Sequence, residues 1–201
     1  MKNILMVSSI LISMTSIAQT FEIGAGAGSG AFYFIEDIDA NAVAAYDSPA
    51  SLYLDVKYNF KDRIDGLKLR LQNTSVNVVG NDYQTLAPID GTVEMFTTSL
   101  LYERLRTDKK FNVGYNAGMG ITHQEFVRIK NMNLPPREDK FMTLSFDGIF
   151  TLRLDQNLRL NLNTGLLWTD PMNTFRGSDN WQTAGEDLSF LAQIGISYKF
   201  N

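Results

Sequence analysis

The chain has 201 residues, no cysteine, one histidine and a formal net charge of −4. That excludes a disulfide framework and a thiolate metal site, and the single His123 excludes a multi-histidine centre. A mildly acidic chain without a basic patch is also a poor partner for nucleic acid.

Lys2 is the only charge near the N-terminus, and an apolar stretch from Ile4 to Met14, interrupted by Ser8, Ser9 and Ser13, follows it. Ser16-Ile17-Ala18 then gives the small–x–small pattern cut by a signal peptidase. Residues 1–18 are therefore expected to be a signal peptide and 19–201 the mature domain. The stretch is too short and serine-rich for a membrane-spanning helix, and nothing later approaches one.

Beyond residue 20 the dominant period is two, as in strands with one apolar and one polar face. The first strand, near 20–34, alternates Phe21, Ile23, Ala25 and Ala27 with Glu22, Gly24, Gly26, Gly28 and Gly30. The second sets Leu52, Leu54, Val56, Tyr58 and Phe60 against Tyr53, Asp55, Lys57 and Asn59. The third keeps Leu67, Leu69 and Leu71 in phase, then moves to Val76 and Val78 on the opposite parity. Either a bulge sits near Asn73 or the strand has left the apolar layer there. The fourth carries Phe96, Leu100 and Tyr102, and the fifth Phe111 to Ile121 against Asn112, Asn116 and three glycines. Met142 to Leu154, Leu158 to Trp168 and Leu188 to Phe200 complete the set with the same alternation.

Eight strands result, and their connections alternate in length. The turns near 61–65, 107–110 and 155–157 are short, whereas 36–49, 80–91, 131–140 and 170–187 are long. This is the pattern of an all-β, eight-stranded antiparallel up-and-down transmembrane β-barrel, with short periplasmic turns and long external loops. The apolar face of the best strands carries no charge, as lipid contact requires. Opposite it lie Glu22, Asp55, Glu103 and Asp147 with Lys57, Lys68, Arg70, Arg153, Arg159 and Lys199, a set able to pair inside a narrow lumen. Phe21, Tyr58, Phe60, Tyr102, Phe111, Tyr198 and Phe200 gather near the short-turn ends, like an interfacial girdle.

The whole mature chain thus resembles the small outer-membrane β-barrel family, in size similar to OmpX or the OmpA transmembrane domain. The most specific element is the ending FLAQIGISYKF, with Ile194, Ile196, Tyr198 and Phe200 in alternation. The resemblance implies that the strand Phe190–Phe200 is read by the barrel assembly machinery, although Asn201 follows the terminal aromatic here. It also implies the outer membrane of a diderm bacterium as the location, reached through the periplasm.

Other motifs point to little chemistry. Gly24, Gly26, Gly28 and Gly30 have the wrong spacing for a nucleotide loop and are expected to form a lumen column that leaves room for long charged side chains. Asp37, Asp39 and Asn41 begin like a calcium loop, but Ala42 and Ser48 occupy the positions of its glycine and glutamate. Loose divalent binding by Glu36, Asp37, Asp39 and Asp47 with Asp170, Asp179, Glu186 and Asp187 is the softer form of that idea. Arg128, Lys130, Arg137 and Lys140, with Glu138 and Asp139 among them, are candidates for contact with lipopolysaccharide phosphates.

Some barrels of this size modify lipid A, which calls for a serine, a histidine and an orienting acid. Glu125 shares the parity of His123, but Ser99 and Ser145 have the lumen-facing parity and His123 does not. No catalytic residue, cofactor or metal ligand is therefore assigned. The leading expectation is a non-enzymatic outer-membrane protein whose loops serve binding, adhesion or envelope integrity, with a lumen that conducts poorly. The alternatives are a lipid A deacylase or acyltransferase, and a secreted lipocalin-like barrel with the apolar face inside.

Overall fold

The computed structural model describes residues 20–34, 45–60, 65–81, 88–106, 109–127, 137–169 and 187–200. The expected leader, 1–18, lies outside them. Among the described residues there are nine strands: β1 (Thr20–Phe34), β2 (Ala45–Tyr46), β3 (Ala50–Asn59), β4 (Asp65–Asn81), β5 (Pro88–Leu105), β6 (Phe111–Val127), β7 (Arg137–Arg153), β8 (Leu158–Thr169) and β9 (Asp187–Phe200). All pairings are antiparallel, and β1 closes on β9 from Phe21↔Phe200 to Phe34↔Asp187. The two-residue β2 pairs with β4 through Ala45↔Val79 and Tyr46↔Val78, continuing the line of β3. Between them Asp47 holds β4 twice, its N–H donating to Asn77 O at 3.1 Å and its Oδ2 accepting from Asn77 Nδ2 at 3.2 Å. β2 and β3 thus share one stave, and the barrel has eight.

Closure follows from the period-two pattern. A closed sheet satisfies every backbone donor and acceptor within the hydrocarbon layer, which is the condition for a strand to cross it. Along β3 burial alternates without a break from Ala50 to Lys57, the odd-numbered positions lying inside. Leu52, Leu54 and Val56 face outward, as do Ile194, Ile196 and Tyr198 on β9. Glu22, Asp55, Lys57, Lys68, Arg70 and Glu103 are buried within. That arrangement is the reverse of a lipocalin-like barrel, whose apolar face lines a ligand cavity, and it corrects that alternative. An exterior of exposed leucine, isoleucine and phenylalanine needs hydrocarbon around it.

The strands are longer than their apolar stretches. β4 to β7 have 17 or 18 residues each, while about 9–11 tilted residues cross a bilayer core. The connections expected at 80–91 and 131–140 are shorter for that reason: β4 runs to Asn81, β5 starts at Pro88, and Arg137 to Lys140 belong to β7. Likewise 36–49 contains β2. Polar outward residues concealed these extensions, because strand pairing continues into water where the apolar alternation stops.

The parity change in β4 has the same origin. Its pairing with β3 and β5 passes through Asn73 one residue for one residue, so there is no bulge. Asn73, Ser75 and Asn77 continue the outward face of Leu67, Leu69 and Leu71, while Val76 and Val78 point inward. The strand has left the lipid layer, and its apolar residues have changed sides.

The strand ends that flank the short connections are bonded to each other. Phe60 N–H donates to Asp65 O at 3.1 Å, Arg106 N–H to Val113 O at 2.8 Å, and Leu154 N–H to Leu158 O at 2.9 Å. Tyr58 packs against Phe21 and Phe60, and Tyr198 against Phe200, at centroid separations of 5.6, 5.7 and 4.9 Å. The girdle expected at this end is therefore made partly of ring–ring contacts.

Candidate functional site

The lumen gathers the charged residues that the alternation assigned to it. Lys57 Nζ lies 2.5 Å from Glu103 Oε1, and Lys68 Nζ contacts the other oxygen of the same carboxylate. Asp55 receives Arg70 through two bonds, Nε–Oδ1 at 2.8 Å and Nη2–Oδ2 at 2.9 Å, and sits 3.5 Å from Lys68 Nζ. Arg70 Nη1 then reaches Asp147 and Gln193, each at 3.4 Å. Lower down, Arg159 Nη1 is 3.5 Å from Glu22 Oε2, and Ser197 Oγ donates to Glu22 Oε1. Arg153 and Lys199 complete the expected set and are half-buried.

Arg70–Asp55 and Lys68–Glu103 join neighbouring strands, whereas other pairs reach past a neighbour. Lys57 and Glu103 come from β3 and β5, and Arg70 and Asp147 from β4 and β7. They bind the walls to each other across the axis. The bidentate Arg70–Asp55 pair, between register partners on β3 and β4, is directional and orients the guanidinium that reaches across to Asp147.

The glycine column has a different occupant from the one expected. A Cβ on Gly26 would stand 2.6 Å from Cε1 of Tyr53, and one on Gly195 would collide with its hydroxyl. The small residues of β1 and β9 seat the Tyr53 ring instead of a long charged chain. The Arg70 guanidinium covers that ring at 4.4 Å, and Asn163 Nδ2 donates to the Tyr53 hydroxyl at 3.0 Å. Tyr53 lies on the polar parity of its strand, so alternation alone marked it as inward without marking what it would need.

Above this layer the lumen turns to amides and hydroxyls. Gln193 Nε2 donates to Ser51 Oγ at 2.9 Å, and a hydroxyl ladder links Thr97, Thr122 and Thr143 at 2.8 and 2.6 Å. Beyond it, the long-loop end gathers apolar inward residues, Phe32, Val76, Val78, Val93, Met95 and Phe141, all 2 % exposed or less, with Thr74 and Gln124 in the row of Met95. Sequence reading missed this closing layer. Its signal was the parity change at Val76 and Val78, where strands that have left lipid need an apolar core of their own. Among the described residues the lumen holds small cavities of about 20 Å³ and 10 Å³. Each holds about one water at most.

The described residues place only part of the other candidate sites. His123 faces outward and is part-buried, with Nε2 3.3 Å from Glu125 Oε1. Ser99 and Ser145 are buried in the lumen on the far side of the wall. Among the described residues no three His, Cys, Asp or Glu are grouped to hold a metal ion. Of the acidic rim, Asp47 is bound to Asn77, and Asp187 begins β9. Glu36, Asp37, Asp39, Asn41, Ala42, Asp170, Asp179 and Glu186 lie outside the described residues, as do Arg128 and Lys130 of the basic loop. Lys140 is exposed on β7.

No protein-family model and no curated protein matches the chain. Solved structures do. Ail, the attachment invasion locus protein of Yersinia pestis, in complex with the heparin analogue sucrose octasulfate, superposes with a TM-score of 0.53 at 12 % identity, over 92 % of this chain and 100 % of that one. Neisserial surface protein A gives 0.53 at 13 %, over 90 % and 97 %. A major outer membrane protein from Thermus thermophilus gives 0.52 at 13 %, over 92 % and 100 %. The fold is that of a small outer-membrane β-barrel. At these identities the likeness carries architecture and no residue-level chemistry.

Proposed function

We propose that the protein is a non-enzymatic integral barrel of the outer membrane of a diderm bacterium, anchoring surface loops for binding, adhesion or envelope integrity. The observation that carries this reading is the filled lumen. Ion pairs cross it, hydroxyl and amide bonds occupy the next layer, and apolar side chains close the outer end. Such an interior acts as a rigid anchor rather than a pore, which needs more strands for an aqueous channel. Recognition then falls to the loops, where function concentrates on rigid scaffolds.

Residues 1–18 serve as the export signal, cut after Ala18, and the strand ending Tyr198-Lys199-Phe200 as the substrate of the assembly machinery. Arg128, Lys130, Arg137 and Lys140 are the loop-side cations offered to lipopolysaccharide phosphates. The Ail complex carries a heparin analogue, and the cations of the basic connection here would complement an anionic glycan.

The test combines location, binding and chemistry. Outer-membrane fractions are run boiled and unboiled, and residues 128–136 are replaced by a glycine–serine linker of equal length. The expected result is a heat-modifiable band in both proteins, lost binding to immobilised lipopolysaccharide in the variant, and unchanged lipid A acylation on gene deletion. Altered acylation that His123→Ala fails to complement would make the protein an enzyme.

A further inference from the structure

The outer wall carries an apolar groove of about 300 Å³ across β6 to β9. Two cross-strand rows form its sides: Phe111, Leu152 and Leu160 on one, Phe150, Leu162 and Ile194 on the other. Its floor is the register pair Thr151↔Asn161, whose side chains turn to the lumen, Asn161 donating to Ser197 Oγ at 2.9 Å. The rows stand apart because the residues between them point the other way. The result is a furrow one side chain deep, open to the hydrocarbon.

The furrow lies toward the short-turn end and has a cationic neighbour. Lys110, exposed, directly precedes the groove residue Phe111, and Lys109 is exposed beside it. The Lys110 carbonyl accepts from Arg153 N–H at 2.7 Å, which holds this turn against the end of β7, the strand supplying Phe150 and Leu152. An apolar trough ending beside the exposed lysines of this turn is complementary to a molecule with a long hydrocarbon chain and a phosphate at one end.

We propose that the groove is a specific site for one phospholipid of the periplasmic leaflet, an acyl chain lying between the two rows and the phosphate meeting Lys110. The proposal rests on the outer-membrane reading, and it separates one retained lipid from the exchanging annulus around the rest of the wall.

The full mature chain is refolded in detergent and titrated with palmitoyl-oleoyl-phosphatidylethanolamine while native mass spectrometry counts bound lipid. Diacylglycerol with the same chains is the phosphate-free control. Leu162→Trp fills the trough, Lys110→Gln removes the phosphate partner, and Leu69→Trp alters the opposite wall. One phospholipid should remain bound to the parent and to Leu69→Trp. Its apparent affinity should fall about tenfold in Lys110→Gln, since a hydrogen bond to a charged group contributes at least the 1.4 kcal/mol of a factor of ten. Leu162→Trp should abolish it, and diacylglycerol should bind all four proteins weakly and alike. Equal retention by the parent, Leu162→Trp and Lys110→Gln would overturn the site while leaving the barrel reading intact. Loss of the heat-modifiable band from the parent would instead remove the membrane reading beneath it.

Discussion

Removing the carboxylate of Glu103 tests the cross-lumen ion pairs most directly. Its two oxygens are shared between Lys57 and Lys68, and the three side chains are 3–8 % exposed. Glu103→Gln keeps the shape and deletes the charge. Lys57 then has no carboxylate within salt-bridge distance among the described residues, and Lys68 keeps only Asp55, at 3.5 Å. Breaking a buried pair by removing one partner costs about 3–5 kcal/mol, mainly because the survivor stays buried and uncompensated. With a urea slope near 3 kcal/mol per molar, that loss lowers the unfolding midpoint by roughly 1–1.7 M. The assay is urea titration of the barrel in micelles, followed through its two tryptophans. Replacing Lys57 by Met in the same background should recover part of the loss, because the stranded cation goes with it. A midpoint for Glu103→Gln within 0.3 M of the parent, a shift of about 1 kcal/mol at that slope, would refute the reasoning. Water would then reach these groups, and the lumen would not be the filled interior described.

Gly195→Ala should destabilise by about 1–3 kcal/mol through overpacking against Tyr53 and the Ala25 carbonyl, and by less in a Tyr53→Ala background. Urea midpoints of the two single variants and the double variant measure the coupling. Leu69→Lys should cost about 2–4 kcal/mol if Leu69 lies near the hydrocarbon midplane, whereas Ser75→Lys, on the same face beyond the apolar layer, should cost about 0–1. Refolding yield into vesicles, followed by urea titration, reads that difference. In planar bilayers the protein should show no steady conductance, and porin-like steps would mean that the apolar outer layer opens.

Most of the architecture was legible because a lipid-spanning strand allows so few patterns. The alternation along β9 and the charge-free outer face of β3 have no equally good reading in water once the opposite face carries six cations and four carboxylates. The individual partners were not legible. Which carboxylate Lys68 meets depends on the stagger of β4 against β5, and parity says nothing about stagger. The glycine column was read correctly as a packing device and wrongly in its occupant. A missing side chain makes space, but only geometry says that Tyr53 fills it. The outer layer was missed because alternation was followed only where it was apolar outside. Val76 and Val78 show the rule inverting once the solvent outside changes from hydrocarbon to water.

The pairing of β1 with β9 has a topological consequence. Fourteen register pairs, Phe21↔Phe200 through Phe34↔Asp187, join the first strand to the last. The seam between the chain ends is therefore an ordinary joint of the wall. A gene rearranged to start within one of the long outer loops, with a short turn joining residue 200 to residue 20, would present the same eight staves in the same cyclic order. Its terminal strand would no longer be Phe190–Phe200, so such a permutant separates what the closed barrel needs to be stable from what the cell needs in order to assemble it.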